Sequence, residues 1–224
     1  MQVVPGFMLP SPGKVVSALI HDMPLLLQHA AVSLQESFYG LTAAVVTAFF
    51  LALLMDGCRF LRRSLYPLLV LSQTVPPVAI APLLVLWLGY GLLPKAALIF
   101  ITCFFPLAIG LLTGLQGVDR DIVRLYRSMG ANKRQILFQV KLPAALDSFF
   151  AGLRIAVAYA IVGAVIAEWL GGNRGLGVYM TRARNSFSYD KMFAVIIVVS
   201  LLSLLLIKGV DLLQKRSMPW KRLK

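Results

Sequence analysis

The strongest constraint on this chain is the disappearance of formal charge over long intervals. None occurs from Ser37 to Met55, from Ser64 to Pro94, or from Ala96 to Val118. Each interval approaches or exceeds the ~20 apolar residues that a helical crossing of a bilayer needs. Two more spans are expected. One runs from Ser148 to Leu170 with Arg154 and Glu168 near its ends, and the other from Met192 to about Leu213, where Lys208 must snorkel. The chain is 59% hydrophobic and only 14% charged, against about 25% charged in soluble domains. The fold expected is an all-α polytopic membrane protein with five spans. Pro76, Pro77 and Pro82 fall in the longest uncharged interval, so a kinked helix followed by an irregular turn through Gly89-Tyr90-Gly91 is expected there.

Residues 33–216 form one membrane domain in this reading. Residues 1–32 supply an extracytoplasmic loop and a short amphipathic helix, Val15 to Gln28, interrupted by Pro24. Residues 217–224 are a basic tail. Lys and Arg are retained on the cytoplasmic side. Arg59, Arg62 and Arg63, the run Arg120 to Lys141, and the C-terminal group from Lys208 to Lys224 hold most of the 22 basic residues. The C-terminus is therefore expected in the cytoplasm. An odd number of spans then leaves the N-terminus outside, although no signal peptide begins the chain, so the expectation is that the chain lacks a first helix or that its start falls downstream of the true one. The net charge of +13 belongs largely to helix ends in a hydrophobic protein, and nucleic acid is not expected as a partner.

Catalytic chemistry is not apparent. Cys58 and Cys103 are not placed to form a disulfide, and His21 and His29 have no third ligand at metal-like spacing, so they read as solvated or interfacial side chains. Gly172-Asn-Arg-Gly-Leu-Gly177 has the glycine spacing of a phosphate loop, but Val178 and Tyr179 stand where Lys and Ser/Thr are required. No metal or cofactor is expected on this chain, and it does not read as an enzyme.

The polar segment Asp119 to Pro143 carries the clearest pointer to function. It reads as a short helix, a corner at Gly130, and a second helix from about Asn132 to Val140. Gly130 supplies positive φ, Asn132 caps, and Pro143 stops the second helix before the membrane is re-entered. Ile136, Leu137 and Val140 then offer an apolar edge beside Lys133 and Arg134. Such a helix suits a groove on another protein, and the alternative is a helix pair lying on lipid headgroups.

Arg124-Leu-Tyr-Arg-Ser-Met-Gly130, followed by Val140-Lys-Leu-Pro143, resembles the EAA signature of ABC importer permeases of the binding-protein-dependent inner-membrane family. The glycine and the Leu-Pro match, whereas Arg124, Leu125 and Tyr126 replace Glu-Ala-Ala and Val140 replaces Ile. Further likeness to the nitrate/sulfonate/taurine subgroup lies in Phe7-Met-Leu-Pro-Ser-Pro12, Gln73-Thr-Val-Pro76, Ile80-Ala-Pro-Leu83, Trp87-Leu-Gly-Tyr-Gly91, Ala167-Glu-Trp-Leu170 and Gly175-Leu-Gly177. The resemblance implies a type I ABC importer transmembrane domain in the bacterial inner (plasma) membrane, usually with six helices. It implies a separate cytoplasmic subunit holding ATP and Mg, an extracytoplasmic solute-binding protein, and a second permease subunit, expected as a homodimer. By resemblance, Gly130, Ala131, Asn132, Lys133, Arg134 and Gln135 couple to the ATPase, as do Ile136, Leu137, Val140, Leu142 and Pro143. The solute expected is a thiamine-precursor pyrimidine or similar heterocycle, with sulfonate, taurine and nitrate left open. A secondary transporter, a channel or a structural anchor subunit is the competing reading, disfavoured because Glu168 is nearly alone as an ionisable residue within the spans.

Small residues recur at Gly152, Ala156, Ala160 and Ala164, and Gly110 and Gly114 form a GxxxG pair. Either seam can join two subunits or pack helices within one chain. Glu168 and Trp169 are substrate-path candidates, Glu168 facing a wet cavity, or else Glu168 anchors at the outer interface with Trp169 and Arg174. Gln73 and Thr74, ahead of the Pro76-Pro77 break, should line the path or bond between helices.

Overall fold

The computed structural model describes residues 10–220. The turn-rich start before Pro10 and the tail residues Lys221, Arg222 and Lys224 lie outside the described residues. The helices are α1 (Pro12–His21), α2 (Met23–Gly57), α3 (Arg59–Ser72), α4 (Pro77–Leu88), α5 (Leu92–Gln116), α6 (Arg120–Ser128), α7 (Lys133–Ile136), α8 (Leu142–Gly171), α9 (Leu176–Asn185) and α10 (Tyr189–Ser217). A π-helical turn, Leu137–Lys141, joins α7 to α8. Among the described residues, four stretches are long and apolar enough to cross a membrane: α2, α5, Lys133–Gly171 and α10. The pair α3 and α4 makes a fifth if its two halves, bent by 99°, count as one span.

Two prolines act differently from expectation. Pro24 does not interrupt a helix; it sits in the first turn of the 35-residue α2, where its missing N–H costs nothing. That helix runs unbroken through residues 32 and 33 and through Glu36. Pro143 does not stop the helix that precedes it. Lys133–Gly171 is continuous over 39 residues, because the widened turn before Pro143 makes room. The N–H of Leu142 reaches back to the Leu137 carbonyl, five residues away, so the ring of Pro143 follows a turn already loosened. Pro76 behaves as expected: it caps α4 from an extended conformation, and Gly89 and Gly91, at φ +76° and +132°, make the turn into α5.

Helix α5 is the centre of the bundle, packed between α2 and α8. Ala44, Ala48 and Ala52, four apart on one face of α2, bury completely against Ile99, Cys103 and Leu107 and their neighbours on α5. On the other side, glycines let backbones touch. A Cβ on Gly152 would lie 2.4 Å from the Pro106 carbonyl oxygen, one on Gly110 would lie 2.9 Å from that of Ser148, and one on Gly114 would lie 2.8 Å from Ala145 Cα. Ala156, Ala160 and Ala164 are fully buried, with the carbonyls of Ala156 and Ala160 accepting from Cys103 Sγ and Ser37 Oγ. Of the two uses left open for these seams, the fold adopts packing within the chain.

Polar contacts gather at the two ends. At one end Lys141 grips Asp56 at 2.8 Å, Arg154 reaches Asp211 at 2.6 Å, and Gln214 reaches Asp147. This end collects the elbow and the C-terminal part of α10. At the other, Asp22 between α1 and α2 accepts from Lys191 at 2.7 Å and from the Tyr179 hydroxyl. The Lys191 ammonium, the Tyr179 hydroxyl and His21 hold the Asp22 carboxyl below the usual carboxylate range. Its contribution to stability is therefore present above the ordinary carboxylate pKa and fades only as pH falls through the lowered value.

The glycine contacts carry a sharp test. Gly152→Leu should lower stability in detergent by at least about 1–3 kcal/mol through overpacking. Gly209→Ala, where nothing lies within 4 Å of the new Cβ, should leave it equal or slightly raised. Thermal unfolding followed by circular dichroism would separate them, and equal midpoints would mean that α5 and α8 are not in backbone contact.

Candidate functional site

The elbow, Asp119 to Lys141, is rigidly terminated at every joint. Asp119 accepts from the Asp121 N–H at 2.8 Å and caps α6. At its other end the N–H of Ala131 reaches the Tyr126 carbonyl and that of Gly130 the Arg127 carbonyl, with Gly130 at φ +82°. This is a Schellman ending, which needs a left-handed residue at that place. Asn132 then opens α7 with a reciprocal capping box: its Oδ1 accepts from the Gln135 N–H at 2.9 Å, and Gln135 Oε1 accepts from the Asn132 N–H at 2.8 Å. Helix, corner and helix are thus fixed by hydrogen bonds local to the segment.

The outward face of the elbow is not the one expected from sequence. Ile136 is 5% exposed and Leu137 packs on the core around α5, while Val140 is half-buried. These side chains hold α7 to the bundle and cannot also present an apolar edge. The surface that remains comprises Asn132 to Gln135, Phe138, and an apolar stripe of Ile122 and Leu125 on α6 with Met129 at its C-cap. The α6 stripe follows i, i+3, i+7 spacing and was legible from the sequence. The rotation of α7 was not, because the π turn shifts its register.

A second feature lies where α3 breaks from α4. Gln73 lines a cavity of about 290 Å³ together with residues of α4, α5 and α8. It also borders a second hollow, of about 460 Å³, against α5 and α8. Thr74 has a different place: its hydroxyl donates to the Leu71 carbonyl at 2.8 Å and is exposed, closing the end of α3.

The third feature is a buried polar cluster that ties α2, α5, α8 and α9 together. Glu168 is buried against protein, 1% exposed. Its Oε1 accepts from Ser33 Oγ and its Oε2 from the Gly177 N–H, both at 2.6 Å. Lys95 Nζ lies 2.5 Å from Glu36 Oε1, with both side chains buried. Glu168 is therefore not alone among ionisable groups in the spans. Trp169, beside it, is 44% exposed and turns away. His29 is buried as well, not solvated, and its Nδ1 accepts from the Gly175 N–H at 2.9 Å, while Ser33 Oγ accepts from Leu176.

The glycine loop is the cradle for this cluster. Gly175 sits at φ +127°, and a Cβ there would fall 2.2 Å from Glu168 Cδ; one on Gly177 would fall 2.3 Å from the Val165 carbonyl oxygen. Side chains of α2 and α8 occupy the N–H groups at the start of α9 as an anion would. The spacing that suggested a phosphate loop reflects the close approach of Glu168.

The structure is a bundle of membrane-length helices with a sharply bent helix pair, a half-open pocket beside it and a hydrogen-bonded elbow. The model of the family described as "Binding-protein-dependent transport system inner membrane component" matches residues 40–221, and the chain belongs to that family. It is thus a multi-pass permease component of an ABC importer of the inner membrane. It is 38% identical over 217 residues to the formylaminopyrimidine transport permease protein ThiX of Halalkalibacterium halodurans, covering 96% of this chain and 87% of that one. It is 33% identical to the taurine transport system permease protein TauC of Escherichia coli, covering 98% and 82%. Among solved structures, an inward-facing form of the MetNI methionine ABC transporter superposes with a TM-score of 0.74 at 18% identity, over 87% of this chain and 97% of that one. The fold is that of a type I ABC importer transmembrane domain.

Removing one partner of the buried ion pair should be costly. Lys95→Met leaves Glu36 uncompensated and is expected to destabilise the protein by roughly 3–5 kcal/mol. Adding Glu36→Gln should recover a large part of that loss. A double-mutant cycle on thermal unfolding in detergent measures the coupling, and additive losses would show that the pair does not act as a unit.

Proposed function

We propose that the chain lines the solute pathway of an ATP-driven importer working by alternating access, with its C-terminus in the cytoplasm. Two copies enclose the pathway, a solute-binding protein delivers cargo to the outer face, and separate cytoplasmic subunits carry ATP and Mg. The solute is small, in keeping with relatives whose names specify formylaminopyrimidine and taurine. The basic residues at the elbow end support the cytoplasmic placement.

One observation carries the mechanism: the second helix of the elbow and a bundle-forming helix are a single 39-residue helix. At 1.5 Å per residue it is about 58 Å long. A partner that grips Asn132 to Gln135 and Phe138 therefore pulls directly on α8, which packs along α5. Closure of two ATPase subunits would rock these helices between outward-open and inward-open arrangements, each favoured by its own ligand state. The buried acids do not favour an ion-coupled alternative, because Glu168 is engaged by Ser33 and Gly177 and Glu36 by Lys95.

Gly130→Val forces a β-branched residue into positive φ, a position with open space around it, so strain falls on the corner and not on the bundle. Uptake by the assembled transporter should fall at least about tenfold, as expected if ~1.4 kcal/mol or more of coupling is lost. Membrane insertion should be normal by protease protection. Full uptake by a correctly inserted variant would remove the elbow from the mechanism.

A further inference from the structure

Helices α3 and α5 leave the hydrocarbon at one level, and a basic hollow opens between them there. The charge-free sequence of α3 begins at Ser64, directly after Arg62 and Arg63, and that of α5 ends at Val118, directly after Gln116 and Gly117. All four of these flanking residues line one hollow of about 540 Å³. It therefore lies where acyl chains give way to headgroups. We infer that this hollow is a binding site for the phosphate of an anionic phospholipid, held by the guanidinium groups of Arg62 and Arg63.

The charge in this hollow has no counter-charge in the chain. Elsewhere at the same end Lys141 is paired with Asp56 at 2.8 Å and Arg154 with Asp211 at 2.6 Å. Among the described residues, no carboxylate lies within 4 Å of a side-chain nitrogen of Arg62 or Arg63. The acids nearest in sequence are already engaged, Asp56 by Lys141 and Asp119 by the Asp121 N–H. Helix α3 starts with no acidic residue in its first turn and no side-chain cap, so its dipole adds to the positive charge. The C-terminal end of α5 opposes it with only about half a negative charge, which two guanidinium groups outweigh. One of those α5 carbonyls, on Thr113, is in any case bonded by the Gly117 N–H.

The rest of the lining suits a lipid better than a free ion. The Tyr66 and Thr113 hydroxyls and the Gln116 amide bond no group among the described residues, so each can donate to a phosphate or glycerol oxygen. Pro67 and Leu112 supply an apolar wall. Further along α3, Leu68 and Leu71 are exposed and continue that wall to acyl-chain depth. A guanidinium meets a phosphate through two parallel N–H groups, which a lysine cannot imitate. Basic pockets between spanning helices favour such headgroups for this reason. The consequence for the fold is local: Leu69 is the one buried residue of α3, so protein contacts hold that helix weakly. A bound lipid pins its start, at the end opposite the break into α4.

Native mass spectrometry of the full chain in detergent, titrated with phosphatidylglycerol, counts bound lipid directly. Wild type should hold one phosphatidylglycerol at least about tenfold more tightly than Arg62→Gln/Arg63→Gln, the loss expected when charge-assisted bonds are removed. Arg62→Lys/Arg63→Lys, which keeps the charge and loses the fork, should fall between the two. Arg120→Gln/Arg127→Gln, which takes the same charge from exposed positions on α6, should stay within about twofold of wild type. Phosphatidylcholine should bind more weakly than phosphatidylglycerol, and millimolar inorganic phosphate should leave the lipid in place. Thermal unfolding gives a second reading: phosphatidylglycerol should raise the midpoint of wild type and not that of Arg62→Gln/Arg63→Gln. Equal affinity in the two glutamine double variants, equal affinity for phosphatidylcholine, or displacement of the lipid by inorganic phosphate would overturn the inference.

Discussion

The contact between α5 and α8 is the one on which the rest of the structure depends. Lipid supplies no hydrophobic drive for helices to associate, so close van der Waals approach must hold them. Gly110, Gly114 and Gly152 provide it by leaving backbone against backbone, at distances that no Cβ could share. Because α8 is also the continuation of the elbow, this seam decides whether a displacement at Asn132 reaches the core or dissipates in a loose helix. The π turn ahead of Pro143 completes the connection by letting a proline sit in a continuous helix. A helix stopped at Pro143 would separate the handle from the load.

The opposite end is held by different chemistry. There the loop between α8 and α9 gives its N–H groups to His29, Ser33 and Glu168, and the Lys95–Glu36 pair stands next to them. Charged groups inside a membrane protein are costly unless paired. Their pairing fixes α2, α5, α8 and α9 to one another at the end away from the elbow. Between the two ends lies the α3–α4 break, where backbone leaves the helix and a small uncharged cavity forms. A stiff end, an elbow continuous with α8 and a break in the α3–α4 pair are the parts that the proposed rocking mechanism uses.

Much of this was legible in the sequence. Uncharged intervals located the spans, Gly130 and Asn132 located the corner and its cap, and the prolines located the broken helix. What escaped was contact between residues distant in sequence. Glu36 read as the boundary of a span because nothing local announces that Lys95 neutralises it. Glu168 read as an acid in search of water because the glycines that cradle it belong to a separate loop. His29 gave no sign of its partner at Gly175 for the same reason. The glycine spacing at 172–177 was the available signal for a backbone that approaches an anion closely, and the fold shows that anion to be Glu168. The outward face of α7 escaped for another reason: a π turn rotates side chains away from any fixed helical period.

The account is tested most directly by photo-crosslinking from position 138, where Phe138 is 59% exposed on the elbow, in the assembled, transporting complex. The expected result is an adduct with the ATP-binding subunit whose yield changes between nucleotide-free and ATP-bound states. Adducts with phospholipid alone, in a complex that still imports solute at full rate, would contradict it.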